Sequence, residues 1–164
     1  PRPPVIRPGD KPVFWDAITT GGILPMAFNH FWIEAGSMRS GGSHNQLELP
    51  RGANQFFEFT HTDYGTAHVT IGHPTLTLRS EKWTNRPLTW HGNNKMERIN
   101  LPTLAQGGFD YRNTAVLFRR HEGGYEINVL PWDDEGAIAW RAASDVLKVV
   151  FRLGARGGRI CGLF

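Results

Sequence analysis

The chain has 164 residues, and its 18 Lys and Arg against 15 Asp and Glu give a formal charge of +3. This length predicts one domain with a sizeable core, and the small charge excludes a uniformly basic, histone-like protein. A hydrophobic content of 40% with 12% aromatic residues excludes a disordered chain. The single cysteine excludes an internal disulfide and a cysteine-ligated zinc site, and it favours a cytoplasmic protein.

Prolines at positions 1, 3, 4, 8 and 12 predict an extended lead-in over residues 1–12, followed by a single domain over 13–164. No charged and then apolar leader is visible, and the apolar run 146–153 is interrupted by Lys148. We therefore expect no signal peptide and no contact with a membrane. Because the chain starts without Met, we expect a domain excised from a longer protein.

Short runs of strand character follow, each closed by Gly, Pro or Asn, and several alternate between apolar and polar residues. The predicted strands cover residues 26–34, 46–49, 68–72, 75–79, 88–91, 95–101, 115–120 and 125–130. Residues 53–59 have weak helical character, and 138–153 place their apolar residues near one helical face, with Gly154 as the terminator. The pattern predicts a mainly β barrel or sandwich with one or two helices.

Several catalytic signatures are missing from the sequence. It contains no Gly-Lys pair of a phosphate-binding loop, no Gly-x-Ser-x-Gly and no His-x-Lys, and no acid stands two residues before a lysine. We therefore expect no hydrolytic centre and no cofactor in this chain.

Three histidines support an alternative function. His61, His68 and His73 stand close together in the sequence, and Gly65 can supply a turn that brings the first two onto neighbouring strands. Imidazoles arranged in this way hold zinc or iron in cupin-like barrels, so the alternative is a metal-dependent β-barrel enzyme. The competing interpretation is exposed or hydrogen-bonded histidines without a metal.

The first polar loop, residues 36–46, lies between two predicted strands and has almost no apolar content. Its side chains are of the types that contact base edges or phosphates. An ordinary mobile hairpin loop has a similar composition, so this alternative stays open. The candidate DNA-binding residues in this loop are Arg39, Ser40, Ser43, His44, Asn45 and Gln46.

The second polar loop, residues 79–86, carries three cations, one carboxylate, an amide and an indole. Arginine reads guanine and asparagine reads adenine in the major groove, whereas the competing interpretation is a solvated, charged loop. Trp83 either packs on the DNA backbone or anchors the loop. A further alternative is a carbohydrate-binding module in which Trp83 and Trp90 stack on sugars. The candidate residues in this loop are Arg79, Ser80, Lys82, Trp83, Thr84, Asn85 and Arg86.

The order of these features resembles one known family. The stretches that carry the resemblance, besides the two polar loops, are LELP at 47–50, FF at 56–57, WHGNNKMER at 90–98 and GRICGLF at 158–164. They resemble the C-terminal DNA-recognition domain of restriction endonucleases whose catalytic domain is of the phospholipase-D type. The resemblance covers nearly the whole chain after the lead-in.

The resemblance implies a DNA-binding pseudobarrel of about seven to eight strands with one or two short helices, as in plant transcription-factor domains. It also implies two arms, at 37–46 and 79–86, that read a short site in the major groove of double-stranded DNA. The nuclease centre of such enzymes lies in a separate catalytic domain, which is the implied protein partner. The expected function is therefore sequence-specific DNA recognition within a restriction endonuclease.

Overall fold

A computed structural model describes residues 5–38 and 42–164, and within these ranges the chain forms eleven strands and two α-helices. The strands of the first half are β1 (His30–Glu34), β2 (Gln46–Leu49), β3 (Val69–Gly72), β4 (Leu76–Leu78), β5 (Glu81–Trp83) and β6 (Leu88–His91). The second half contributes β7 (Met96–Asn100), β8 (Thr114–His121), β9 (Gly124–Pro131), β10 (Val150–Arg152) and β11 (Ile160–Leu163). The helices are α1 (Phe14–Thr19) and α2 (Glu135–Val146).

The strands form two sheets. The larger has the order β10-β11-β1-β8-β9-β4-β5, and the smaller has the order β2-β7-β6-β3. Neighbouring strands are antiparallel except for β4 and β9, which run parallel. The prediction of a mainly β fold with short helices is confirmed. The sheets are open at their edges, however, and do not close into a barrel.

The central strands of the larger sheet are buried on both faces. On β1, Phe31 and Ile33 point into the main core, which is shared with the smaller sheet, whereas Trp32 points toward α2. The Trp32 indole donates a hydrogen bond to the Ser144 hydroxyl at 2.7 Å, and that hydroxyl donates to the Leu163 carbonyl at 2.7 Å. This chain of bonds ties α2 to the sheet.

The predicted helix over 138–153 is wrong in its second half. Asp134 caps α2 by accepting a hydrogen bond from the Gly136 amide at 2.8 Å, and the helix ends at Val146. Lys148 adopts a φ of 59°, which reverses the chain so that the apolar residues after it form β10 instead. Residues 53–59 form only a 3-10 turn, Ala53–Gln55, rather than a helix.

A buried carboxylate organises the turn after β2. Glu97, on β7 and 0% exposed, accepts hydrogen bonds from the Gly52 amide at 2.6 Å, the Asn54 amide at 2.7 Å and the Asn54 side chain at 2.8 Å. Gly52 has a φ of 93°, and a Cβ there would lie 2.8 Å from the Ile18 side chain, so this position requires glycine. Burial raises the pKa of Glu97 to about 7. The carboxylate therefore joins the smaller sheet to the turn.

The lead-in packs against the domain where the structure describes it. Arg152 of β10 donates its backbone amide to the Pro12 carbonyl at 2.9 Å and its guanidinium to the Lys11 carbonyl at 2.8 Å. Lys11 in turn pairs with Asp145 of α2 at 3.0 Å. These contacts cover the outer edge of β10, which would otherwise expose unpaired backbone groups. In the parts of the chain that the structure describes, no helix has the length and apolar character required to cross a membrane.

Candidate nucleic-acid interface

Both polar loops start from the larger sheet and lead into the smaller one. The first connects β1 to β2, and the second connects β4 to β6 and contains the short edge strand β5. Residues 101–112, which we call the central segment, contact both loops. Its contacts with each loop define the geometry of the site.

The base of the first polar loop is closed by hydrogen bonds. The Nδ1 atom of His44 lies 2.9 Å from the carbonyl oxygen of Met38, and Met38 is buried. Asn45 donates its side-chain amide to the Leu101 carbonyl at 2.8 Å and accepts from the Leu101 amide at 2.9 Å. The Gln46 side-chain oxygen accepts from Arg98 at 3.4 Å. The loop is thus fastened to the central segment and to β7.

These bonds divide the candidate residues of the first polar loop. His44, Asn45 and Gln46 are half-buried and hold the base of the loop, and Ser43 is exposed. Arg39 and Ser40 lie outside the described residues. Sequence reasoning grouped these residues by their chemistry and could not separate those that hold the loop from those that are free to meet a ligand.

The second polar loop begins with an unusual hairpin turn. Arg79 and Ser80 join β4 to β5 with φ values of 50° and 70°, and Leu78 pairs with Glu81 across the turn. Two consecutive positive φ angles are typical of hairpin turns that use Asn-Gly, because other side chains are strained there. The strained turn projects the Arg79 and Ser80 side chains into solvent, where both are exposed.

The rest of this loop has an anchored part and a free part. The Arg86 guanidinium lies 4.7 Å from the centre of the Trp83 ring, and both residues are half-buried. The Trp83 Nε1 and the Arg86 Nε are buried without a hydrogen-bond partner among the described residues. Trp83 packs against the main core and therefore anchors the loop. The free candidates, all exposed, are Arg79, Ser80, Lys82, Thr84 and Asn85.

The central segment contacts both polar loops. The Arg79 guanidinium lies 4.1 Å from the centre of the Phe109 ring. The Phe109 ring packs 6.2 Å from that of Tyr111, and burial raises the pKa of Tyr111 to about 12. At the other end, pairing with Arg112 lowers the pKa of Asp110 to about 2, and Asn45 of the first polar loop is bonded to Leu101. The two loops therefore flank one common segment.

Phe109 and Tyr111 were missed by sequence reasoning. The available signal was the Gly107-Gly108 pair followed by two aromatic residues at alternate positions. That pattern is typical of a strand start, and nothing local in it indicates contact with residues about thirty positions earlier in the chain.

A polar groove lies beside the second polar loop, between the β4–β5 and β8–β9 hairpins. Its volume is about 380 Å³, and Arg79 and Lys82 line it together with Glu122 and Glu126. Arg119 pairs with Glu126 at 3.1 Å, which neutralises one of the two carboxylates. The groove walls thus carry charges of both signs.

The three predicted metal-binding histidines do not form one cluster. The His61 ring lies 2.7 Å from the Asp63 carbonyl, the His68 ring packs 4.3 Å from that of His91, and His73 is exposed. Among the residues that the structure describes, no group of three His, Cys, Asp or Glu side chains has an arrangement suited to a metal ion.

Trp90 and Arg159 contribute to the fold. Trp90 is 0% exposed and donates to the Gly65 carbonyl at 2.8 Å, so it cannot stack on a sugar as the carbohydrate-binding alternative requires. In the C-terminal region, Arg159 donates to the Ala35 carbonyl at 3.3 Å.

Relief of the strained turn should stabilise the domain. We expect Ser80→Gly to raise the free energy of unfolding by about 0.5–1 kcal/mol, because glycine adopts a positive φ without steric cost. Thr84→Gly, at an exposed position without a positive φ, is the matched control and should lower it. Urea denaturation followed by tryptophan fluorescence measures both variants. Equal effects of the two substitutions would contradict the assignment of strain to Ser80.

Comparison of the chain with models of protein families and with curated proteins finds no match.

Proposed function

We propose that this chain is a sequence-specific double-stranded DNA-binding domain that reads a short site in the major groove with its two polar loops. The observation that carries the proposal is the attachment of both loops to the central segment. The first polar loop is bonded to Leu101, and the second stacks Arg79 on Phe109. Two polar projections held at a defined separation are suited to grip one duplex.

The exposed side chains of the second polar loop fit this function chemically. Arg79, Lys82 and Asn85 are exposed, and these residue types donate hydrogen bonds to guanine and adenine edges in the major groove. The contact between the Arg86 guanidinium and the Trp83 ring restricts the movement of the loop. A stiff loop loses little conformational entropy on binding, which favours affinity.

The resemblance to the recognition domain of restriction endonucleases adds a biological setting. In this setting, the chain is a pseudobarrel recognition domain and its protein partner is a catalytic domain of phospholipase-D type. The parent enzyme hydrolyses DNA in the cytoplasm. The chain itself then carries no nuclease centre. The cupin-like alternative with His61, His68 and His73 stays a prediction, and metal analysis of the purified chain addresses it.

Selection of bound oligonucleotides from a random duplex pool, followed by gel-shift competition, tests the proposal. We expect one short sequence to be enriched and to compete better than unrelated duplexes. Equal competition by every duplex would contradict specific recognition, and no binding at all would contradict DNA binding.

Salt dependence should accompany this binding. Each phosphate neutralised by Lys or Arg releases counterions, so the logarithm of the affinity should fall with the logarithm of salt concentration by about 0.9 per phosphate contact. Titration of a fluorescent duplex at several salt concentrations between about 50 and 200 mM measures the slope. A slope near zero would point to a ligand other than nucleic acid.

A further inference from the structure

Arg79 is unlike the other arginines that stack on aromatic rings. In the described ranges, guanidinium groups lie over rings at Arg51, Arg79, Arg86, Arg120 and Arg141. The other four are half-buried, and Arg79 is exposed.

Hydrogen bonding separates two of these arginines from Arg79, whereas Arg51 and Arg86 each bury an Nε that has no partner among the described residues. Arg120 donates to the Phe28 carbonyl at 2.9 Å, and Arg141 donates to the Trp132 carbonyl at 2.9 Å. For Arg79, no hydrogen bond or ion pair to another described residue is present, and its contact with Phe109 at 4.1 Å is the interaction that holds it. Its donors are therefore available to a ligand.

Stacking of this kind holds an arginine without consuming its donors. An aromatic ring attracts a guanidinium through the face of the group, whereas the N–H groups point outward in the guanidinium plane. That plane carries the fork that matches O6 and N7 of guanine. A guanidinium that lies parallel to the Phe109 ring would therefore keep this hydrogen-bonding edge free while its orientation is restricted.

Phe109 is itself firmly placed. The neighbouring Tyr111 is 0% exposed and donates to the Pro102 carbonyl at 2.7 Å. Gly108 packs so closely that a Cβ there would overlap the same carbonyl. Just before it, Thr103 and Gln106 form a capping box that closes a 3-10 turn. The ring under Arg79 thus rests on a constrained stretch of backbone.

We propose that Phe109 is a positioning residue for Arg79, and that its ring sets the base which this arginine reads. The inference rests on the proposed function of the two loops. Phe109 acts through Arg79 and fixes the direction of its donors before the duplex arrives. Such preorganisation lowers the entropy cost of forming a bidentate contact.

The test uses the full chain and the duplex enriched by selection. Phe109→Leu should reduce discrimination between the preferred duplex and one with a changed guanine by about 3- to 10-fold. Phe109→Tyr keeps an aromatic face and should remain within about 2-fold of the unmodified chain. Trp132→Leu removes the ring from another Arg–aromatic pair, at 3.8 Å from Arg141, and should leave discrimination unchanged.

A double variant separates positioning from a general structural role. In the Arg79→Ala background, Phe109→Leu should cause no further loss of discrimination, because the arginine that it positions is gone. If Phe109→Leu weakens every duplex equally, or weakens the Arg79→Ala variant by the same factor as the unmodified chain, the proposal is overturned.

A measurement without DNA keeps this inference distinct from the proposed function. NMR of the free chain should show an upfield ring-current shift of the Arg79 side-chain protons that disappears in Phe109→Leu and persists in Phe109→Tyr. If the shift is present but no duplex is bound, the proposed function fails and the positioning role fails with it. If duplexes are bound specifically and the shift is absent, the positioning role alone is overturned.

Discussion

Glu97→Ala should lower the free energy of unfolding by about 3–5 kcal/mol, as loss of one partner in a buried charged network does. The substitution leaves the amides of Gly52 and Asn54 and the Asn54 side chain without their acceptor. It also leaves Arg51 beside Trp15 without the nearby carboxylate. Urea denaturation measures the loss. Glu81→Ala, which removes an exposed carboxylate from β5, is the control and should change stability by less than about 0.5 kcal/mol.

The same carboxyl group makes stability depend on pH. Its pKa is raised from 4.5 to about 7 by burial, so the folded chain binds this proton more tightly than the unfolded chain. The contribution of Glu97 to stability is therefore greatest below about pH 4.5 and falls as the pH rises through 7. Comparison of denaturation at several pH values in Glu97→Gln isolates this contribution. An identical pH dependence in Glu97→Gln would contradict the assignment to Glu97.

Arg79→Ala should weaken binding to the selected duplex by about 1–3 kcal/mol, which is roughly 5- to 150-fold, and should relax specificity at one base position. The expected loss comes from a bidentate contact to a base edge, because the guanidinium is exposed and lies over the Phe109 ring, 4.1 Å from its centre. Stability should change little, since the side chain has no hydrogen-bond partner in the described part of the chain. Quantitative gel shifts with single-base variants of the site measure both affinity and specificity.

Arg7→Ala is the matched control for this substitution. Arg7 is exposed in the lead-in and outside both polar loops, and its removal changes the net charge by the same amount. We expect it to affect all duplexes equally and only slightly. A uniform loss of affinity in Arg79→Ala, without relaxed specificity, would instead indicate a phosphate contact. Arg86→Ala should also weaken binding, with an additional loss of stability because Arg86 stacks on Trp83.

The sequence predicted the parts of the fold in which burial alternates along a strand. On β4, Leu76 and Leu78 are buried and Thr77 is not, and on β9 the alternation extends through Tyr125 and Ile127. These local patterns follow directly from the period of a strand with one buried face. Eight of the eleven strands in the described ranges overlap a predicted one for this reason.

The missed strands lack that pattern. All four residues of β11, Ile160–Leu163, are buried, because the strand lies inside the sheet and α2 covers one face. The exposed edge strand β5, Glu81–Trp83, is mostly charged and has the composition of a loop. The apolar residues of β10 continue the spacing of α2 and were assigned to that helix. In each case tertiary packing decides the structure, which local sequence does not record.

The candidate site follows the same division. Loop composition identified the two polar loops, because exposed donors and glycines are a local property. Which residues hold the loops, such as Asn45 bonded to Leu101, depends on residues that are distant in the chain. The contact between Arg79 and Phe109 likewise joins residues that are far apart in the sequence, so no local pattern indicates it.

The position of β11 has a consequence for the synthesis of this domain. Residues 160–163 fill an interior slot of the larger sheet, between β10 and β1, so β1 lacks one of its two neighbours until they are made. The edge of β1 that pairs with β11 then stays unpaired while about 130 further residues are translated, at a rate of about 5–20 residues per second. Sheets assembled from such distant segments fold slowly and expose aggregation-prone edges in the meantime. We therefore expect the unpaired edge of β1 to be prone to aggregation during synthesis.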